Sequence, residues 1–154
     1  MSGTDNASAE ARVRADIVAA ARSWIGTPYH HQASVKGVGA DCLGLIRGVW
    51  RDLYGEEAER PPGYSRDWGE AAGEETLLEA AARHLVATSV ELRRPGDVLI
   101  FRMRAGAIAK HAAVLATPHT IVHAMEDRLV AEIPFTAWWR RRLAAVYAFP
   151  ETQS

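Results

Sequence analysis

The sequence predicts an α+β domain in which N-terminal helices pack on an antiparallel sheet, and three observations carry that prediction. The chain has 154 residues, 48% hydrophobic and 24% charged, which suits one domain with its own core. Hydrophobic residues recur at helical spacing in the first half and in short strand-like runs in the second. The two kinds of segment are grouped, not alternating, which argues against a doubly wound parallel sheet.

Residues 1–7 read as a flexible end, 8–150 as the domain and 151–154 as a second flexible end. Residues 8–25 form an amphipathic helix, with Val13, Ile17, Ala20, Ala21 and Trp24 on one face and Gly26 as its stop. Thr27-Pro28 turns the chain, and a loop with Gly37 and Gly39 follows. A second helix starts near Asp41 or Cys42 and runs to about Tyr54, with Leu45, Ile46, Val49, Trp50 and Leu53 on one face and Gly55 after it. Pro61-Pro62-Gly63 breaks the chain before a third helix over 74–86. Pro95-Gly96-Asp97 is a turn signal, and 98–101, 111–116, 120–124, 130–133 and 143–149 read as strands.

A formal net charge of −1 gives no general pull toward nucleic acid or membrane surfaces. No apolar run approaches the length of a membrane-spanning helix. Acid gathers between Glu56 and Glu79, and arginine near Arg93, Arg102, Arg104 and Arg140 to Arg142. Lysine is confined to Lys36 and Lys110, so the preferred reading is a compositional bias toward arginine. Met1 to Asn6 lack the basic-then-apolar order of a secretory signal, and synthesis in the cytoplasm is expected. The lone cysteine, Cys42, forbids an internal disulfide.

Cys42 is the first candidate for chemistry. At a helix tip a thiol feels the positive end of the helix dipole and free backbone amides, which favour thiolate. Its pKa is therefore expected below the free value of about 8.5. Asp41 opposes this as a neighbouring negative charge, although as an N-cap its carboxylate is occupied by backbone amides. Taken alone, Cys42 reads first as a small buried hydrophobe.

Two histidines change that balance, because a cysteine nucleophile needs a base and a group that orients the base. His111 opens one strand and His123 nearly closes the next. Paired directly across a hairpin that reverses near Thr117, both rings leave the same face. His119 and His123 are four apart and would make a metal pair on a helix, but Pro118, Ile121 and Val122 favour turn and strand. His30 and His31 lie in a loop, where adjacent side chains seldom converge on one ion, so no metal or organic cofactor is expected. Tyr29, beside them, either packs or donates to a developing oxyanion.

The motifs Trp24-Ile25-Gly26-Thr27-Pro28-Tyr29, Asp41-Cys42-Leu43-Gly44-Leu45, Pro95-Gly96-Asp97-Val98-Leu99-Ile100-Phe101, Lys110-His111-Ala112-Ala113-Val114 and Ile121-Val122-His123-Ala124 together resemble the NlpC-type cell-wall peptidases, which have a papain-like core. The resemblance implies Cys42 as nucleophile, His111 as base, His123 as the residue that orients it and Tyr29 near the nucleophile. It further implies hydrolysis of peptidoglycan stem peptides between D-glutamate and a diamino acid. Asp41, His30 and His31 are candidates for the substrate or oxyanion side of the site. Two departures from the family pattern lie near the cleft: His30-His31-Gln32 stands where Trp-Gly-Gly is common, and Leu43 where serine is common.

The loop from Tyr29 to Cys42 and Trp138-Trp139-Arg140 resemble the branch encoded in tail modules of phages and gene transfer agents. That resemblance implies tail-hub or tail-tip proteins as partners, contacted through the acidic segment near 70–79 or through Trp138-Trp139. The alternatives are a structural tail-tip subunit with little activity and a cysteine amidase or acyltransferase on the same core.

Overall fold

The computed structural model describes residues 3–55, 76–104 and 106–150. The acidic stretch from Glu56, the Pro61-Pro62-Gly63 break, the first two residues of the expected third helix and residues 151–154 lie outside them. Helix α1 spans Gly3–Arg22, so it begins five residues before the position the hydrophobic pattern predicts. At the other end the amides of Trp24 and Ile25 bond back to Ala21 and Arg22 at 3.1 Å each, a tightened last turn that ends the helix before Trp24. Gly26 follows at φ +93°, a conformation that costs glycine little.

Helix α2 spans Cys42–Tyr54, as the sequence predicts. Asp41 caps it from an extended backbone, and Gly55 closes it at φ 84° with its N–H on the Arg51 carbonyl. Leu45, Ile46 and Val49 bury its inner face. Gly48 lets Trp24 lie flat against the helix, since a Cβ there would sit 1.9 Å from the indole. Before α2, β1 (Ser34–Val35) and β2 (Gly39–Ala40) form a short hairpin. Helix α3, Thr76–His84, ends two residues earlier than expected because the chain leaves it to form β3.

The main sheet contains β3 (Val86–Thr88), β4 (Val98–Arg102), β5 (Ala109–Thr117), β6 (Thr120–His123), β7 (Ala131–Pro134) and β8 (Leu143–Ala148). Their spatial order is β3-β8-β4-β5-β6-β7, and every pairing is antiparallel. All five expected strands are present, while β3 and the short helix α4 (Ala137–Arg140) are additions. Val98, Ile100, Ala112, Val114 and Val122 join the core beneath the helices. Leu99, Phe101, Ala113, Leu115 and Ile121 form a second core on the opposite face with Phe135 and Trp139. A sheet buried on both faces explains why 98–101 and 112–116 are continuously apolar and do not alternate.

The Pro95-Gly96-Asp97 turn fastens helix layer to sheet. Asp97 is buried and accepts from the Arg94 amide and from Arg14 Nη1 of α1, both at 2.8 Å. Arg14 Nη1 also donates to the Pro95 carbonyl at 3.2 Å. Removing one partner strands the other charge in the interior. Arg14→Met is expected to lower the unfolding free energy by about 3–5 kcal/mol in urea titration. A loss below about 1 kcal/mol would mean that the pair behaves as a solvent-screened surface bridge.

Candidate catalytic site

His111 lies opposite Phe101 of β4, and His123 lies opposite Ala113 of β5. The histidines are therefore diagonal neighbours, two residues out of the direct pairing the sequence suggested. The Thr117 and Thr120 hydroxyls bond each other at 2.8 Å and place the reversal at Pro118-His119, not at Thr117. A shift of two preserves side-chain parity, so both rings still leave one face. The diagonal brings His111 Nε2 to 3.0 Å from His123 Nδ1, with the rings perpendicular at 86°.

Strand β6 ends at His123, whereas β5 continues back to Ala109. Beside that protruding edge sits the tip of α2. The Cys42 thiol donates to the Lys110 carbonyl at 3.8 Å, and its sulfur meets the Ala112 amide. Those two backbone groups flank His111. The thiol thus meets the backbone on either side of His111, His111 and His123 meet through their rings, and all three residues are buried: Cys42 is 4% exposed, His111 7% and His123 5%.

An aromatic wall fixes the imidazoles. Trp139 stacks on His111 at 5.5 Å and 30° and meets His123 edge-on at 5.3 Å and 88°. Phe101 lies 6.0 Å from His111 on its strand partner. Sequence reasoning missed this role for Trp139 and placed it in a docking surface. A signal was present: a Trp pair directly before the last strand, in a segment too short to bury two indoles by itself. Trp138 alone is exposed, with the Arg142 guanidinium 3.6 Å above its ring.

Burial governs the electrostatics. It pushes the Cys42 thiol up to about 12, and the Asp41 charge adds to this against the opposing amides of Ala112, Leu43 and Cys42 itself. Desolvation and the Asp41 charge thus act against the lowering that the helix tip favours. Burial also lowers His111 to about 3, with His123 contributing, and lowers His123 to about 4, with the Arg128 charge contributing. These shifts favour a thiol and two neutral imidazoles at rest.

The remaining candidates separate. Asp41, 1% exposed, accepts from the Gly44 amide at Oδ1 and from the Gln32 amide at Oδ2, each at 2.7 Å. Its carboxylate joins the helix start to the preceding loop and is turned away from solvent, so Asp41 is a positioning residue and not a substrate contact. His31 lies over that cap, with Nδ1 3.9 Å from Asp41 Oδ2. His30 packs its ring on Gly39, where an added Cβ would come within 2.6 Å of it. Tyr29 is half-buried, bridges Ala40, and bonds the Arg128 carbonyl through its N–H at 3.2 Å. His119 is exposed in the hairpin turn, away from the site. Among the described residues no three metal-binding side chains converge, and no helix is long and apolar enough to cross a membrane.

Residues 26–148 match the model of the NlpC/P60 family. No curated protein matches the chain. An NlpC/P60 family protein from Bacillus cereus has a similar structure, with a TM-score of 0.64 and 19% identity over 88% of this chain and 40% of its own. The NlpC/p60 domain of the peptidoglycan hydrolase SagA gives 0.60 and 23% over 88% of this chain and 98% of that domain. RipD of Mycobacterium tuberculosis, a non-catalytic NlpC/p60 domain protein adapted to peptidoglycan binding, gives 0.55 and 15% over 89% and 97%. The chain spans 40% of the length of the Bacillus protein and 41% of a Staphylococcus aureus relative. At these identities the likeness establishes the fold.

The neutral site makes two pH predictions. Alkylation of Cys42 by iodoacetamide should be slow at pH 6 and rise steeply with pH, and a fast reaction at pH 6 would reveal a thiolate. Stability should also fall on both sides of neutrality. Below about 6.5 the unfolded histidines take up protons that the folded rings refuse down to about 3 and about 4. Above about 8.5 the unfolded thiol ionises while the folded one keeps its proton to about 12. A melting temperature that rises between pH 6.5 and pH 5 (window taken from the reference histidine value of about 6.5) would contradict the neutral imidazoles.

Proposed function

This chain belongs to the NlpC/P60 family, whose domains are peptidoglycan-hydrolase-like with a papain-like core, and we propose that it is a cysteine endopeptidase of peptidoglycan stem peptides. The observation that carries the reading is the 3.0 Å bond between His111 Nε2 and His123 Nδ1 beside a thiol held by the backbone on either side of His111. For His111 to accept a proton at Nδ1, its Nε2 must carry the hydrogen and donate it to His123 Nδ1. His123 thereby sets the tautomer of the base and steadies the imidazolium that forms.

Because thiol and imidazole start neutral, proton transfer to His111 accompanies attack of Cys42 Sγ on the amide carbonyl carbon. The oxyanion is taken up by the Cys42 backbone N–H and the Tyr29 hydroxyl. Protonated His111 returns its proton to the departing amine as the C–N bond breaks, leaving a thioester. Water, deprotonated by His111, then hydrolyses the thioester and restores the thiol. The bond cut is the one between D-glutamate and a diamino acid.

The tail-tip location is supported by the resemblance of the Tyr29 to Cys42 loop and of Trp138-Trp139-Arg140 to tail-module peptidases. With Trp139 packed on the histidines, docking to a tail-hub or tail-tip protein falls to Trp138. The buried thiol favours a second reading, a tail subunit or wall-binding domain with little turnover. Mass spectrometry of digested sacculi separates the two. The wild-type chain should release fragments with a new diamino-acid N-terminus, and Cys42→Ala and His111→Ala should release none. His123→Ala should lose about tenfold to a thousandfold in rate, His123→Asn should recover part of it, and His119→Ala should stay near wild type. Intact stem peptides after incubation with the folded wild-type chain would establish the second reading. Purified particles lacking the polypeptide, despite its synthesis, would contradict the location.

A further inference from the structure

The turn after β6 carries a cation for which the reaction above has no use. After β6 ends at His123, the chain turns through residues 125–128, with Asp127 at φ 65° and the Arg128 N–H on the Met125 carbonyl at 3.1 Å. The returning segment is fastened to the one that bears Tyr29. The Arg128 carbonyl accepts from the Tyr29 N–H at 3.2 Å, Leu129 bridges Pro28, and the Val130 amide bonds the Thr27 carbonyl at 2.8 Å. Backbone contacts thus fix Arg128 beside Tyr29, which holds the oxyanion in the proposed mechanism, and in the turn that follows His123, which orients the base.

Arg128 is exposed, and among the described residues its guanidinium has no ion-pair partner. Glu126 and Asp127 of the same turn are also exposed. The arginine charge is close enough to oppose protonation of His123, which works against an imidazolium in the pair. A cation so placed hinders the chemistry until an anion covers it. The anion available in a stem peptide is a carboxylate, which matches the planar fork of a guanidinium.

We propose that Arg128 is a specificity-determining residue that pairs with a free carboxylate of the substrate peptide next to the scissile bond. The proposal rests on the peptidase reading. It makes the substrate complete the site: the carboxylate binds and at the same time cancels the charge that opposes His111–His123 protonation. Discrimination against the carboxamide form therefore shows in kcat as well as in KM.

The test uses two synthetic stem peptides that differ only at the α-carboxyl of the D-isoglutamyl residue, free in one and amidated in the other. For the wild-type chain kcat/KM should favour the free acid by about tenfold. In Arg128→Gln that ratio should collapse toward one, and Arg128→Lys should restore part of it. Equal use of both peptides by the wild type, or an unchanged ratio in Arg128→Gln, would overturn the proposal. If the wild type cuts neither peptide, the peptidase reading fails, and binding of the same peptides to the Cys42→Ala chain decides this one. Tighter binding of the free acid that disappears on adding Arg128→Gln supports it, and equal or absent binding overturns it.

Discussion

Strand β6 stops at His123, opposite Ala113, while β5 runs on to Ala109, and the site is built on that difference in length. Where β6 is missing, the edge of β5 presents the Lys110 carbonyl and the Ala112 amide to the tip of α2, and the Cys42 sulfur meets both. The residue between those two groups is His111, so the sulfur meets the backbone on both sides of the candidate base. The same early stop sends the chain into the turn that carries Arg128 back against Tyr29. A longer β6 would pair with residues 109–112 and close all of this.

The second constraint is burial. A helix tip contributes about 0.3–1 kcal/mol to a nearby charge, whereas removing a charge from water shifts a pKa by several units. With helices on one face and Trp139, Phe101 and Phe135 on the other, desolvation wins at Cys42, His111 and His123 alike. Trp139 contributes twice, holding the His111 plane and excluding water from the pair. In the proposed reaction, neutral partners in a buried site tie proton transfer to bond formation. They also make any charge at the rim, Arg128 above all, consequential for the imidazoles.

The sequence was most legible where local chemistry and burial agreed. Asp41 before Cys42 and Gly55 after Tyr54 marked both ends of α2, and both act as caps. The apolar runs at 98–101 and 111–116 became central strands. Helix α1 reaches back to Gly3, through residues that carry no amphipathic pattern to announce it. Helix α4 and β3 are too short for a period to show. The parity of His111 and His123 was readable from the strands, but their register turned on the Thr117–Thr120 hydroxyl bond, a contact with no linear signature. The upward shift of the thiol has the same origin, since a helix tip is visible in sequence and the layer that buries it is not. The match of residues 26–148 to the NlpC/P60 model agrees with the motif resemblance at the level of family and fold.

The burial of Cys42 and the bond between His111 and His123 favour a resting thiol and a pair of neutral, hydrogen-bonded imidazoles. Ring nitrogen-15 shifts of His111 and His123 at pH 7 (near the reference histidine value of about 6.5) measure this directly, in the wild-type chain and in Cys42→Ala. Neutral rings are expected in both proteins, with His111 protonated at Nε2 and its hydrogen shared with His123 Nδ1. An imidazolium at His111 in the wild type that turns neutral in Cys42→Ala would contradict it, because it would reveal a thiolate–imidazolium pair already formed before substrate arrives.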